Sequence, residues 1–405
     1  MENKKNWKRI FAIIWTGQGL SILSSALVGY AVIFWLSLET GSAETLALAA
    51  IAGMLPQSVL GLFVGVYVDR WDRKRTMILA DSFIALCTLA LALLFWFDAA
   101  ELWHIYVLLA CRSVGSAFHS PAMRASVPLL APESELTRIA GINQVLESFS
   151  SIAGPALGAL LLTVTQMGDI LLLDVLGAAI ACTTLLFVRI PNPERDRSLK
   201  PSLRRELREG AAAIVRIGGM PQLVLSAVAV LFFIMPVGVL FPLMTLKHFG
   251  GGTFEMSLIE IVWGGGALAG GIVMGMRRYR VNKILLIDLM YIVVGLTFAL
   301  SGLLPPSAFV LFAVLTALAG ISGSVFNASL VSVVQQRIDP AVQGRFFSLY
   351  SGVSMMPAML GVLGTGFFSD SVGLLPTFVL SGTVIVGIGI LGLFSRRMLA
   401  LDRQP

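Results

Sequence analysis

Charge is what this 405-residue chain has least of. Only 13% of its residues are Asp, Glu, Lys or Arg, about half the share of an ordinary globular domain. So few ionisable groups cannot cover a water-facing surface of this size, so a soluble fold is excluded. Cysteine and histidine are scarce too, at three each. Cys87, Cys111 and Cys182 sit inside apolar runs without disulfide or metal-ligand spacing, and read as packing residues. His104, His119 and His248 fall in separate regions, and no nucleophile stands beside a base, which argues against an enzyme. No G-x-x-x-x-G-K-[ST] loop is present to cradle a nucleotide phosphate. No motif calls for a cofactor or a metal.

What fills the chain instead is apolar. Hydrophobic residues make up 57% of it and mean hydropathy is +0.86. An apolar helix needs about 20 residues to cross the hydrocarbon of a bilayer. Runs that satisfy this lie at about 10–37, 45–68, 76–97, 103–123, 139–165 and 169–189, then at about 222–246, 254–276, 284–304, 307–333, 343–368 and 373–395. The expected fold is therefore an all-α membrane protein of twelve transmembrane helices in two six-helix bundles. The first run is too long for the core of a cleavable signal peptide.

The cations are segregated. Every second gap between runs, together with both tails, holds all but two of the 29 Lys and Arg residues; the exceptions are Arg112 and Lys247. Short loops beside membrane spans keep Lys and Arg on the cytoplasmic side. Both termini are thus expected in the cytoplasm, in a bacterial cytoplasmic membrane. The net charge of +6 needs no nucleic-acid partner, because the cations are dispersed with little aromatic interleaving. The expected partners are the lipid bilayer, a small amphiphilic substrate and protons, and an ATP-binding partner protein is left unspecified.

One long polar segment separates the two sets of runs. Residues 1–190 are expected to form the first bundle, 191–219 a cytoplasmic linker and 220–405 the second bundle. Within the linker, Leu203, Leu207, Ile214 and Val215 can share one helical face while Arg204, Arg205, Arg208 and Glu209 stay wet, as in an interfacial amphipathic helix. The halves echo each other: Gly65 followed by Asp69, Arg70 and Arg73 returns as Gly275 followed by Arg277, Arg278 and Arg280. Duplicated halves of six spans are the layout of transporters that rock about a central site.

Several motifs carry a specific resemblance. Gly65-Val-Tyr-Val-Asp69-Arg70-Trp-Asp-Arg73-Lys74-Arg75 resembles the signature loop of the major facilitator superfamily, although Asp72 stands where glycine is more usual. The resemblance implies that Gly65, Asp69, Arg70 and Arg73 act as a cytoplasmic conformational latch, with the helix opening at Gly344-Arg345 as candidate partner. Arg112-Ser-Val-Gly115 resembles the family's intramembrane arginine motif. Gly141, Ser150, Gly154, Pro155 and Gly158 resemble the glycine-proline helix of drug/proton antiporters, with Ser150 and Ala159 in place of glycines. Together with Trp15 to Gln18, Asp174 to Ala178 and Leu380 to Thr383, these stretches make the chain similar to the macrolide efflux proteins of that superfamily. The resemblance implies export of macrolides driven by proton antiport and alternating access. From the residues alone, a different cargo such as another drug, a siderophore or a metabolite stays open, as does a receptor or scaffold that transports nothing.

Ionisable groups inside a bilayer are costly and mark function by default. Arg112 falls about nine residues, or ~13 Å, into the fourth run. Glu147 reaches a similar depth in the fifth, and the short connection makes the two expected partners in a proton-coupled switch. Asp174 and Glu260 are further proton-site candidates. Asp81 and Glu255 lie nearer a membrane face and read as structural. For a bulky amphiphile, aromatic and methionine walls with a few polar groups are needed; Gln18, Tyr30, Asn143, Met235, Phe241, Asn327, Tyr350 and Met356 are the candidate substrate contacts.

Overall fold

The computed structural model describes residues 7–68, 71–132, 135–188, 190, 203–276 and 281–402. The described residues are helical almost throughout, as lipid requires, because a helix pairs its own backbone N–H and C=O groups where no water can do so. The long helices are α1 (Trp7–Thr40), α2 (Ala43–Val68), α3 (Arg73–Trp96), α4 (Leu102–Leu130), α5 (Leu136–Val164) and α6 (Met167–Leu186). A shorter helix, α7 (Leu203–Val215), precedes α8 (Met220–Lys247), α9 (Thr253–Met276), α10 (Lys283–Ser301), α11 (Phe309–Arg337), α12 (Pro340–Val372) and α13 (Leu374–Leu393). A single turn, α14 (Arg396–Leu399), follows.

Eleven of the described helices are long and apolar enough to cross a membrane. The remaining long helix, α4, has 29 residues, and Arg112, Ser113, Ser116, His119, Ser120 and Arg124 make it the most polar of the twelve expected spans. Large apolar side chains such as Phe187, Phe394, Leu391 and Leu79 are at least 70% exposed. Lipid is the solvent that accommodates them.

The chain divides into two compact units, one made of Met1–Trp35 and Ala49–Pro201, the other of Leu36–Leu48 and Ser202–Pro405. In the first unit α3 packs against both α4 and α6. Asp72, the departure from the signature loop, caps α3: its carboxylate accepts the Arg75 N–H at 2.9 Å, satisfying an otherwise orphaned donor. Lys74 ties the same end of α3 to the end of α6, donating to the Leu186 and Val188 carbonyls at 3.1 and 2.8 Å. Helix α5 lies on α1 through Gly158, where an added Cβ would sit 3.0 Å from the Leu27 carbonyl oxygen and 3.2 Å from the Ala31 nitrogen. Small residues let membrane helices approach this closely.

In the second unit α10 packs against α11 and α13, α9 against α11, and α8 against α12 and α13. Asn282 caps α10, accepting the Ile284 and Leu285 N–H groups at 2.9 and 3.2 Å. The centre is aromatic: Phe241 has the rings of Trp263, Phe298, Phe312 and Phe378 at centroid distances of 5.6 to 6.1 Å. Helix α7 rests on α12 and α8, with Gly210 against the Arg345 carbonyl and Glu209 in an ion pair with Arg345. One expectation for this helix is corrected: Glu209 is half-buried and paired with Arg345 rather than wet, because α12 covers that side of the helix. Val215 is 72% exposed. Arg345 is accordingly engaged by α7. Leu203, Leu207, Arg204 and Arg205 have side chains outside the described residues.

Candidate functional site

The charged centre of the first unit is built from four helices. Asp174 of α6 is 1% exposed and forms an ion pair with Arg112 of α4. Thr88 of α3 stands between them. Its hydroxyl accepts from Arg112 and faces Asp174 Oδ2 at 3.0 Å and the Ile84 carbonyl at 2.9 Å as acceptors for its one proton. Ser25 of α1 donates to Asp174 Oδ1. The carboxylate thus has a cation and two hydroxyl groups around it, the arrangement that a buried charge requires.

A second polar layer repeats the first one heptad away. Seven residues advance a helix by about 10.5 Å and return it nearly to the same face. From Ser25, Thr88 and Arg112, that step leads to Gln18, Asp81 and His119 on the same three helices. These meet as well: His119 Nε2 lies 3.2 Å from Asp81 Oδ1, and Gln18 Nε2 donates to Asp81 Oδ2 at 3.4 Å. Asp81 is 4% exposed. The His119 contact is an ion pair whenever the imidazole carries a second proton. Two stacked layers of titratable groups therefore run through the middle of the unit.

The expected partnership of Arg112 with Glu147 is not what forms. Arg112 meets Asp174, while Glu147 lies on an exposed stretch of α5. A short loop keeps the ends of α4 and α5 close, but mid-membrane neighbours are set by packing. Here α3 touches both α4 and α6, so Arg112 reaches α6 across Thr88. Glu260 is half-buried two turns into α9. Glu255 accepts the Gly252 N–H at 2.7 Å.

The candidate substrate contacts divide. Gln18 is fully buried in the Asp81 layer and Phe241 is 2% exposed at the centre of its aromatic cluster; neither is an accessible wall in this conformation, because each side chain is consumed by packing in its own unit. Asn143 accepts from the Trp15 indole N–H. Tyr30 is half-buried beside Gly154, and Tyr350 stacks on Phe346 at 6.0 Å. Met235 is half-buried, Asn327 exposed and Met356 42% exposed. Of the antiporter-like helix, Gly154, Pro155 and Gly158 are buried, whereas Gly141 is exposed with no described atom within 4 Å of an added Cβ.

Of the latch residues, Asp69 and Arg70 lie outside the described residues, as do Arg277, Arg278 and Arg280 of the second copy, and Gly65 falls in the last turn of α2. Arg73 is buried and donates to the Ala125 carbonyl of α4. Sequence reasoning missed two groups here. His119 joins Asp81 because both stand one heptad from partners of the first layer, a spacing visible in the sequence. Asp288, the lone acid in α10, is fully buried.

Helices long and apolar enough to span a membrane around a buried, hydrogen-bonded ion pair suit a polytopic membrane transporter. The chain belongs to the Major Facilitator Superfamily, whose family profile matches residues 14–305. It is 39% identical over 391 residues to macrolide efflux protein A of Streptococcus pyogenes, covering 96% of each chain. It is 25% identical over 410 residues to the multidrug efflux pump Tap of Mycobacterium tuberculosis, covering 96% of this chain and 92% of that one. Among solved structures it resembles a bacterial homologue of the iron transporter ferroportin in an inward-facing state, with a TM-score of 0.74 at 13% identity over 95% of this chain and 98% of the other. That last likeness is one of fold alone.

Proposed function

We propose that this transporter exports bulky amphiphilic drugs, macrolides first among them, from a bacterial cell in exchange for protons. The observation that carries the coupling is Asp174, buried and held by Arg112, Thr88 and Ser25. As a carboxylate it binds α1, α3, α4 and α6 together through one charge. A proton on Asp174 removes that charge, releases Arg112 and loosens the four helices from one another; loss of the proton restores the lock. The Asp81 and His119 layer, about 10 Å nearer the basic ends of the same helices, offers the next station for the proton. Glu260 stays a candidate proton site in the second unit.

The cargo reading rests on the 39% identity to a macrolide efflux protein along nearly the whole chain. Tyr30, Asn143, Met235, Asn327, Tyr350 and Met356 are the proposed substrate contacts, and Gly65, Asp69, Arg70 and Arg73 the proposed latch. Residues 1–190 and 220–405 act as the two bundles of an alternating-access cycle, joined by 191–219. The distribution of Lys and Arg supports a bacterial cytoplasmic membrane with both termini inside.

The test is macrolide accumulation in a drug-sensitive bacterium that expresses the chain, with and without a protonophore. Expressing cells should hold several-fold less drug than control cells, and the protonophore should close the gap. An equal accumulation in both cells, or a gap indifferent to the protonophore, would overturn the reading. Glu147→Gln should leave the protonophore-sensitive gap intact, since Glu147 is not the partner of Arg112; its loss in that variant would return α5 to the coupling path.

A further inference from the structure

The second unit holds an acid that the mechanism above does not use. Asp288, in the second turn of α10, is 0% exposed, and no described donor reaches either of its carboxyl oxygens. Helix α13 presses glycines against it: a Cβ at Gly392 would overlap the carboxyl group, and one at Gly389 would lie 2.8 Å from the Asp288 backbone oxygen. Gly392 also lines an open, mainly apolar cavity of about 340 Å3 between α8 and α13, whose polar members are Gln222, Ser226 and Ser395. Gly392 thus borders both that space and the acid.

The charged groups of the surrounding elements are engaged elsewhere. Lys283, at the start of α10, pairs with Asp402 at 3.0 Å. Arg337 at the end of α11 donates to the Leu401 carbonyl, and Arg396 and Arg397 of α14 are exposed. Helix α13 contributes no titratable side chain. The titratable neighbour of Asp288 is Tyr291 on its own helix, with Tyr350 of α12 facing Tyr291 in turn. A metal ion would need several oxygen ligands, and the described residues offer this carboxyl group alone. An ionised carboxylate without a cation or donors is strongly disfavoured in such surroundings.

We propose that Asp288 is a proton-binding site of the second unit, held as the neutral acid in this conformation and exchanging its proton through the Gly392 cavity. The exchange is a simple dissociation: the carboxyl O–H bond breaks, its electron pair stays on the oxygen, and the proton passes to water reaching the cavity. The cavity lies at the end of the unit that carries Lys283, Arg337, Arg396 and Arg397, so the exchange faces the cytoplasm; that side assignment rests on the topology proposed above, and the protonation does not.

Infrared spectroscopy of the full-length protein in lipid nanodiscs tests this without any transport reading. At neutral pH the wild type should show the carbonyl stretch of a protonated carboxylic acid, shifted in deuterium oxide. Asp288→Asn should delete that band, Asp288→Glu should move it, and Gly392→Ala should slow its deuterium exchange. If Asp288→Asn does not fold, protein labelled with carbon-13 at the aspartate carboxyl replaces it: a label-sensitive acid band must persist in Asp81→Asn and in Asp174→Asn. A spectrum unchanged by Asp288→Asn, or the absence of any label-sensitive acid band, overturns the proposal. Failure of the drug-accumulation test leaves this spectrum untouched, so the two readings fail separately.

Discussion

Asp174→Asn is expected to abolish protonophore-sensitive efflux and to destabilise the first unit by about 3 to 5 kcal/mol, the usual cost of leaving one partner of a buried ion pair alone. Arg112→Leu should cost as much, for the mirror-image reason: Asp174 would keep its two hydroxyl partners but lose its cation. The double variant Arg112→Leu with Asp174→Leu separates structure from coupling. Apolar residues of similar volume often replace a buried pair with little loss of stability, so the double variant should melt close to the wild type while remaining inactive in efflux. Thermal melts in detergent and drug accumulation in cells check the two halves of this expectation. A double variant that pumped normally would reduce the pair to a structural tie. A double variant as unstable as either single one would show that the cost lies in packing around α3.

The second large effect is expected at the crossing of α10 and α13. An added Cβ at Gly382 would lie against the Gly295 carbonyl and the Ala299 nitrogen, and the reciprocal Cβ at Gly295 would sit 2.6 Å from the Gly382 carbonyl and 2.7 Å from the Val386 nitrogen. These are backbone atoms of a neighbouring helix, so no side-chain rotation can make room. Gly382→Val should therefore force the two helices apart and cost about 3 kcal/mol or more, at or above the upper end of ordinary overpacking. The measurements are the amount of protein recovered from membranes and the melting temperature of whatever is recovered. Gly275→Val is the control, since no described atom lies within 4 Å of an added Cβ there, and it should be recovered at wild-type levels. Equal recovery of both variants would mean that the crossing relaxes at little cost.

The membrane class was legible in residue chemistry because lipid tests each segment separately: about 20 apolar residues either cross the hydrocarbon or they do not. Even the weakest segment is informative. Helix α4 is the one long helix outside the eleven apolar enough to span, and the residues that make it polar include Arg112 and His119, which form the two layers of the site. The charge of Arg112 within an apolar run flagged it without any coordinates. Its partner was not legible. Loop length limits only where two helices begin and end, whereas the side chain met in mid-membrane depends on rotation of each helix by about 100° per residue and on which third helix comes between them. Thr88 of α3 occupies that place, and Asp174 follows from it. The burial of Gln18 and Phe241 was not legible for a related reason: a polar or aromatic side chain suits a substrate wall and a helix interface equally well by type, and only packing tells which surface it faces.

Composition and the spacing of cations decide the solvent, the helical class and the existence of intramembrane charges, because these depend on sums over single residues. Pairings among those charges, the packing of Asp288 against Gly392 and the contact of Glu209 with Arg345 of α12 are decided by tertiary structure, because each depends on where two or more helices cross and on which face every one of them turns inward.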